Sequence, residues 1–247
     1  MATCGLTVMA SWAQCDFCEG YTPVMQDFTI FHDHLMLILL FIVSFVGCIL
    51  AGATVSQTID SFFSEDQHLE VIWTLIPVVI LLYIGAPSLY VLYSMDYDFL
   101  LEQNETRYFV KVIGHQWYWS YSSPLLNLEN RAVPVFDRYI IGSNHTHFNH
   151  RLLDTDTRLI VPCQVIIKFF ISSIDVLHSW ALPSAGVKID ACPGRLNQIA
   201  VYFSRPGILY GQCSEICGAN HRFIPIVLEV RRVAAHLMIS HILLHTY

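Results

Sequence analysis

Two long apolar runs dominate the first hundred positions. Leu35–Val55 is 21 residues without a charge, and Val71–Tyr93 is 23. The hydrocarbon core of a bilayer takes roughly 20 helical residues to cross, so both runs predict membrane-spanning helices. Phe31-His32-Asp33-His34 opens the first run, with Asp33 suited to a helix N-terminus. Pro77 and Pro87 lie within the second, where neighbouring helices tolerate such kinks in lipid. The connector from Ser56 to Glu70 is short and acidic, with Asp60, Glu65, Asp66 and Glu70. Two spans and a short link predict a helical hairpin whose flanks share one side of the membrane. Charge does not say which side. The connector and the first 34 residues contain no Lys or Arg, and a long domain is not counted by the positive-inside rule.

Beyond about Asp96 the period changes from helical to alternating. Tyr108–Ile113, Val165–Ile171, Gln198–Phe203 and Ile224–Val230 read as strands. Pro162, Pro183, Pro193-Gly194 and Pro206-Gly207 punctuate them as turns. Several short strands with turn signals predict a β-sandwich or barrel. The expected organisation is an N-terminal segment over 1–30, a transmembrane hairpin over 31–95, and a β-domain with a C-terminal tail over 96–247. Arg231–Tyr247 is expected to include a short terminal helix. Asn104-Glu105-Thr106 and Asn144-His145-Thr146 have the glycosylation spacing, which matters only where the domain meets that machinery.

Composition agrees with membrane residence. Hydrophobic residues make up 54% of the 247 and charged residues 13%, where a soluble domain carries about a quarter. The net charge of −7 hides an asymmetry: all 13 Lys and Arg follow position 100, whereas the 20 Asp and Glu split ten and ten. The first hundred residues therefore carry −10 and the rest +3. Neither part has the clustered basic stripe of a nucleic-acid-binding surface, so nucleic acid is excluded as a partner. A signal peptide is not expected: the first 30 residues lack a basic n-region, and no small-residue cleavage site follows the first apolar run.

Eight cysteines, at positions 4, 15, 18, 48, 163, 192, 213 and 217, are too scattered for a disulfide framework. Cys15-Asp16-Phe17-Cys18 has C-x-x-C spacing but no partner pair and no βαβ context, and reads as part of an irregular segment. Cys213 and Cys217 differ. With His221 they put two thiolates and one imidazole within nine residues, and His178 offers a second imidazole. Soft thiolates with imidazoles suit copper or zinc. One Cys with two His makes a mononuclear blue-copper site. A second Cys four residues on lets two thiolates bridge two copper ions, each capped by one His. A shared charge changes geometry little on reduction, which favours fast electron transfer. A tetrahedral zinc site uses the same residue types, but C-x3-C-x3-H in an alternating β-domain fits a zinc finger poorly. Ligand type and spacing thus place copper ahead of zinc, with no metal third. His145, His147 and His150 cluster in a polar stretch that reads as a solvated loop.

Longer motifs carry a family resemblance. Phe31-His32-Asp33-His34, Glu70-Val71-Ile72-Trp73-Thr74, Gly114-His115-Gln116-Trp117-Tyr118-Trp119-Ser120-Tyr121, Pro193-Gly194-Arg195-Leu196-Asn197-Gln198 and the Cys213–His221 loop together resemble subunit II of the mitochondrial aa3-type cytochrome c oxidases. The resemblance runs from Phe31 to Val230. It implies a cupredoxin domain on a two-helix anchor in the mitochondrial inner membrane, with both termini and the copper domain in the intermembrane space. It implies partnership with subunit I and the other oxidase subunits, and electrons taken from cytochrome c and passed to haem a in subunit I. Oxygen reduction and proton pumping follow there. It also implies a dinuclear copper centre (CuA) with His178, Cys213, Cys217 and His221 as side-chain ligands, the cysteines bridging. Glu215 resembles the residue that lends its backbone carbonyl to one copper and its side chain to a magnesium shared with subunit I. A hard carboxylate suits magnesium and not a copper–thiolate pair. Trp117 matches the residue at which electrons arrive from cytochrome c. Read alone, His115, Trp117, Trp119 and Tyr121 share a parity and so one strand face, and an aromatic strand is most often core. Glu70 matches a residue near the entrance of a proton-conducting path; read alone, it is an interfacial carboxylate favoured by the helix dipole.

Two features depart from the family pattern. Three residues after the second histidine ligand the family has Met as a weak axial ligand, and this chain has Ile224, which cannot ligate. Either the substitution is genuine and raises the potential, or the residue is a Met misread from the AUA codon, which some mitochondrial codes assign to Met. The acidic run after the aromatic strand is reduced to Glu129 within Ser122–Glu129, while Asp156 and Asp175 still match acidic docking positions. Docking by fewer charge pairs is expected. The competing readings are a structural subunit with an impaired copper site and a membrane-tethered zinc-binding module.

Overall fold

The computed structural model describes residues 14–57, 62, 64–101, 108–122, 135–141 and 150–234. The expectations at Cys4, Asp60, Asn104, Glu129, Asn144, His145, His147 and most of the terminal helix fall outside these residues. The chain divides into two compact units, one of Met1–Gln26 with Asp96–Tyr247 and one of Asp27–Met95.

Helix α1 spans Pro23–Val55 and helix α2 spans Gln67–Leu101. Asp33 therefore lies inside α1 and not at its start. The start is set by Thr22, whose Oγ1 accepts the Met25 N–H at 3.1 Å, with Pro23 as the first helical residue. Cap chemistry and Pro at the first position fix where a helix begins. An apolar run marks only which part of it is greasy. Asp66 caps α2 in the same way, its Oδ1 accepting the N–H groups of His68 and Leu69 at 3.0 and 3.1 Å. Glu70 then falls in the first turn of α2, where the dipole favours a carboxylate. Leu40, Phe41, Val43, Leu81, Leu82 and Tyr93 are all exposed. Helices this long with apolar side chains facing outward suit lipid. The His34 and Tyr83 rings meet between the helices, their centroids 5.3 Å apart.

The β-domain has ten strands among the described residues: β1 Tyr108–His115, β2 Tyr118–Ser122, β3 Val135–Arg138, β4 Leu159–Pro162, β5 Ile166–Ser173, β6 His178–Leu182, β7 Val187–Ala191, β8 Asn197–Tyr202, β9 Gly207–Gln212 and β10 Pro225–Arg231. One sheet runs β3-β2-β1-β5-β8, a second β4-β10-β9, and β6 pairs with β7. Alternate residues of β1 (Tyr108, Val110, Val112) and β5 (Ile167, Phe169, Ile171) are buried. They share one core with Leu209, Ile226, Leu228 and Val230 from the second sheet, which is the arrangement of a β-sandwich. All five residues of β6 are buried.

The aromatic segment departs from the single strand expected for it. β1 ends at His115, Gln116 and Trp117 form a turn, and β2 starts at Tyr118, paired with His115. A two-residue turn reverses the chain and restarts the parity count. Only Trp119 and Tyr121 enter the core, while His115 and Trp117 stay half-buried.

The N-terminal segment is bound to this domain. Tyr21 is fully buried in its core. The Tyr21 N–H donates to the Ser184 carbonyl at 2.8 Å, and its own carbonyl accepts from Ser204 N–H at 2.9 Å. Thr22 Oγ1 donates to the Ala185 carbonyl at 2.7 Å. Arg205 pairs with Glu19 and lies 4.5 Å over the Tyr21 ring. A side chain at Gly207 would collide with the Tyr21 hydroxyl. Tyr21→Ala empties this slot and is expected to cost on the order of 3 kcal/mol, read as a lower thermal unfolding midpoint of the β-domain.

Candidate metal centre

The site forms where β6 meets the loop between β9 and β10. His178 is the first residue of β6 and has no exposed surface. Cys213 and Cys217 lie on the loop, both buried, and His221 opens a short 3-10 helix over His221–Phe223. Backbone bonds close the loop: Cys213 N–H donates to the Ile224 carbonyl at 3.0 Å, Ser214 N–H to Ser179 at 3.0 Å, and His221 N–H to Gly218 at 3.2 Å.

The ligand-type atoms converge in two pairs. Cys213 Sγ is 3.8 Å from His178 Nδ1, and Cys217 Sγ is 3.5 Å from His221 Nδ1. The two sulfurs are 4.0 Å apart. The donor atoms of His178, Cys213 and Cys217 all lie within 4.8 Å of one another. The Glu215 carbonyl is 3.4 Å from Cys213 Sγ, so the backbone of Glu215 faces the sulfurs while its residue is half-buried. Ile224 is buried beside the loop and brings only carbon.

A carboxylate fixes the tautomer of His178. Nε2 is 2.8 Å from Asp175 Oδ1, which in the neutral ring leaves Nδ1 with its lone pair toward Cys213, as second-shell carboxylates do for ligating histidines. The same carboxylate accepts the Gln116 N–H at 2.6 Å, the Val176 N–H at 2.6 Å and the Ser173 hydroxyl at 3.2 Å. Asp175 is thus exposed at the position the sequence suggests for docking, with both of its oxygens hydrogen-bonded to the domain. Behind the imidazole stands Gly114: a Cβ there would be 2.9 Å from His178 Cδ2, so only glycine leaves room for the ring. Trp119 meets His178 edge-on, with centroids 5.8 Å apart.

Electrostatics resist two bare thiolates. Burial raises the Cys213 thiol, but the bond from His178 and backbone N–H groups outweigh it and bring it to about 7. Burial and the neighbouring Cys213 push the Cys217 thiol well up. Burial lowers His178, yet Cys213 and Asp175 outweigh it and raise the imidazole overall. Two adjacent thiols give up both protons when a cation supplies the compensating charge. Two thiols, two imidazole nitrogens and a carbonyl therefore fit a soft metal site.

Trp117 sits at the turn with its indole over the loop: a Cβ at Gly218 would be 3.2 Å from Trp117 Cζ2. Asp156 is exposed, its Oδ1 accepting from the N–H groups of Tyr139 and Thr157 at 3.2 and 2.7 Å. Tyr139, Tyr118 and His115 stack in a row, with centroids 4.6 and 4.5 Å apart. Glu70 belongs to the other compact unit. Sequence reasoning gave no positioning role to Gly114, Gln116 or Asp175. The spacing Asp175-x-x-His178 is the signal that marks a carboxylate next to a ligand.

The chain matches two family models, the transmembrane domain of cytochrome c oxidase subunit II over residues 10–91 and the periplasmic domain of the same subunit over 108–231. It is 45% identical over 223 residues to cytochrome c oxidase subunit 2 of Yponomeuta malinellus and 47% identical over 223 residues to that of Oncopeltus fasciatus, each time covering 90% of this chain and 93% of the relative. Among solved structures it is similar to the periplasmic domain of subunit II of cytochrome oxidase of Bradyrhizobium japonicum, 36% identical, with 56% of this chain and 93% of that one covered and a TM-score of 0.49.

Asp175→Ala should weaken metal binding by about 10–100-fold, the usual effect of removing a second-shell partner, measured by chelator competition. Binding should also weaken as pH falls. Cys213, at about 7, Cys217, held higher, and His178, whose proton affinity is raised, must each give up a proton to bind a metal. Affinity therefore changes about tenfold per pH unit where only one of them is protonated, and more steeply as pH falls through about 7.

Proposed function

Since the chain belongs to the cytochrome c oxidase subunit II family, and so is a subunit of the terminal oxidase with two membrane-spanning helices, we propose that it carries electrons from cytochrome c to haem a of subunit I through a dinuclear copper centre. The observation that carries this reading is the pairing at the site. Each thiol has its own imidazole, at 3.8 and 3.5 Å, and the thiols are 4.0 Å from each other.

His178, Cys213, Cys217 and His221 would hold the two coppers, with the Glu215 carbonyl at one of them. A copper pair held there would supply one-electron transfer with little reorganisation between oxidation states. The protein keeps His178 in one tautomer, excludes water by burying both sulfurs, and closes the loop ends together. Trp117 receives the electron over Gly218. The Glu215 side chain would meet a magnesium shared with subunit I, where oxygen reduction is coupled to proton pumping. Glu70, in the first turn of α2, serves the entrance of a proton path. The setting is the mitochondrial inner membrane, with both termini and the copper domain in the intermembrane space. Asp156, and the oxygens of Asp175 as far as they reach the surface, meet basic cytochrome c together with other oxidase subunits around the site.

Two coppers per chain with a delocalised mixed-valence EPR signal and near-infrared band are expected. Bound zinc with a silent spectrum would make this a membrane-tethered zinc module, and no metal would leave a structural subunit. Ile224 places no donor at the axial position, so Ile224→Met should lower the copper potential, and a peptide mass consistent with Ile at 224 would exclude the codon explanation. The on-rate with cytochrome c should fall less steeply with salt than for a homologue with a full acidic run; an equally steep fall in stopped flow counts against it.

A further inference from the structure

We infer that Gln116 is the positioning residue that sets Trp117 over the metal loop, clamping the turn to both thiol–imidazole pairs at once. This rests on the electron-carrier reading of Trp117. The clamp has two arms. The Gln116 backbone N–H donates to Asp175 Oδ2 at 2.6 Å, and the other oxygen of that carboxylate holds His178 Nε2 at 2.8 Å. The side-chain Nε2 donates to the Cys217 carbonyl at 2.7 Å. One arm therefore ends on the His178–Cys213 pair and the other on the Cys217–His221 pair.

Trp117 has no such hold of its own. Its indole Nε1 is buried without a hydrogen-bond partner among the described residues. The ring is placed by packing against Gly218, where a Cβ would lie 3.2 Å from Trp117 Cζ2, 3.3 Å from its Nε1 and 3.2 Å from Gln116 Nε2. The residue before it is thus the one with polar bonds that fix the turn, and the indole inherits its position. Gln116 stands in a two-residue turn between β1 and β2, so a shift of its side chain is not absorbed by a longer loop.

The test uses the intact oxidase with Gln116→Met, which keeps the length and removes the donor, and Gln116→Ala, which removes the arm. Both variants should keep the mixed-valence copper EPR signal and bind cytochrome c within twofold of the unaltered complex. Flash-triggered electron injection from saturating cytochrome c should slow severalfold, because the rate of electron transfer falls with each fraction of an ångström by which the indole is displaced. Injection unchanged within twofold overturns the inference. So does weaker cytochrome c binding with an unchanged rate at saturation, which would make Gln116 a docking residue. Loss of the copper signal in Gln116→Met overturns it as well, since the amide would then hold the copper loop and not the indole. Absence of that signal from the unaltered complex overturns the electron-carrier reading and this inference together.

Discussion

A buried imidazole bonded to a carboxylate at 2.8 Å organises the β-domain around its functional end. His178 has no exposed surface, so its polar nitrogens need partners inside the protein. Asp175 takes one of them and the sulfur of Cys213 faces the other. With that axis fixed, much else is determined. Residue 114 on β1 has to be glycine, Trp119 has to present its edge, and the turn after β1 is drawn to the same carboxylate through Gln116. Three segments distant in sequence are thus registered against one ring.

The thiols impose the second constraint. At 4.0 Å they are too close to ionise independently, and burial makes each charge more costly. A polypeptide alone can relieve this only by keeping a proton. A soft cation relieves it fully, so the loop is built less for its own stability than for what it receives. Ile224 fits the same logic. It is buried in the core and its carbonyl ties the loop end through Cys213, so the position keeps its architectural task with a side chain that adds no ligand.

Much of this was legible in the sequence. The spans Leu35–Val55 and Val71–Tyr93 lie inside α1 and α2, and the strands expected near 108, 165, 198 and 224 are β1, β5, β8 and β10. These are signals of period and length, which a sequence carries directly. The Cys213-x3-Cys217-x3-His221 cluster was legible because its members share one loop. His178 is distant in sequence, and was found by its residue type and by resemblance. What escaped were features made by tertiary contact. The turn at Gln116–Trp117 contains neither Gly nor Pro, so the aromatic run read as one strand. The start of α1 lay hidden because Thr22-Pro23 precedes the apolar run by a full three turns. Asp175 is exposed as a docking charge would be, but only the fold shows that its oxygens also meet His178 and backbone N–H groups.

The burial of Tyr21 has a topological consequence. Its slot is lined by residues from Ser184 to Gly207, all of which are made long after it. Residues 27–95 are therefore an insertion within a domain that closes around its own N-terminal segment. A closed ring of this kind can be threaded through a bilayer only an even number of times. If the second helix failed to insert, Tyr21 and its slot would be left in different compartments, and the core would remain open until the hairpin was complete. Completion of the β-domain core therefore depends on insertion of both helices, because one aromatic ring of that core precedes them in the chain.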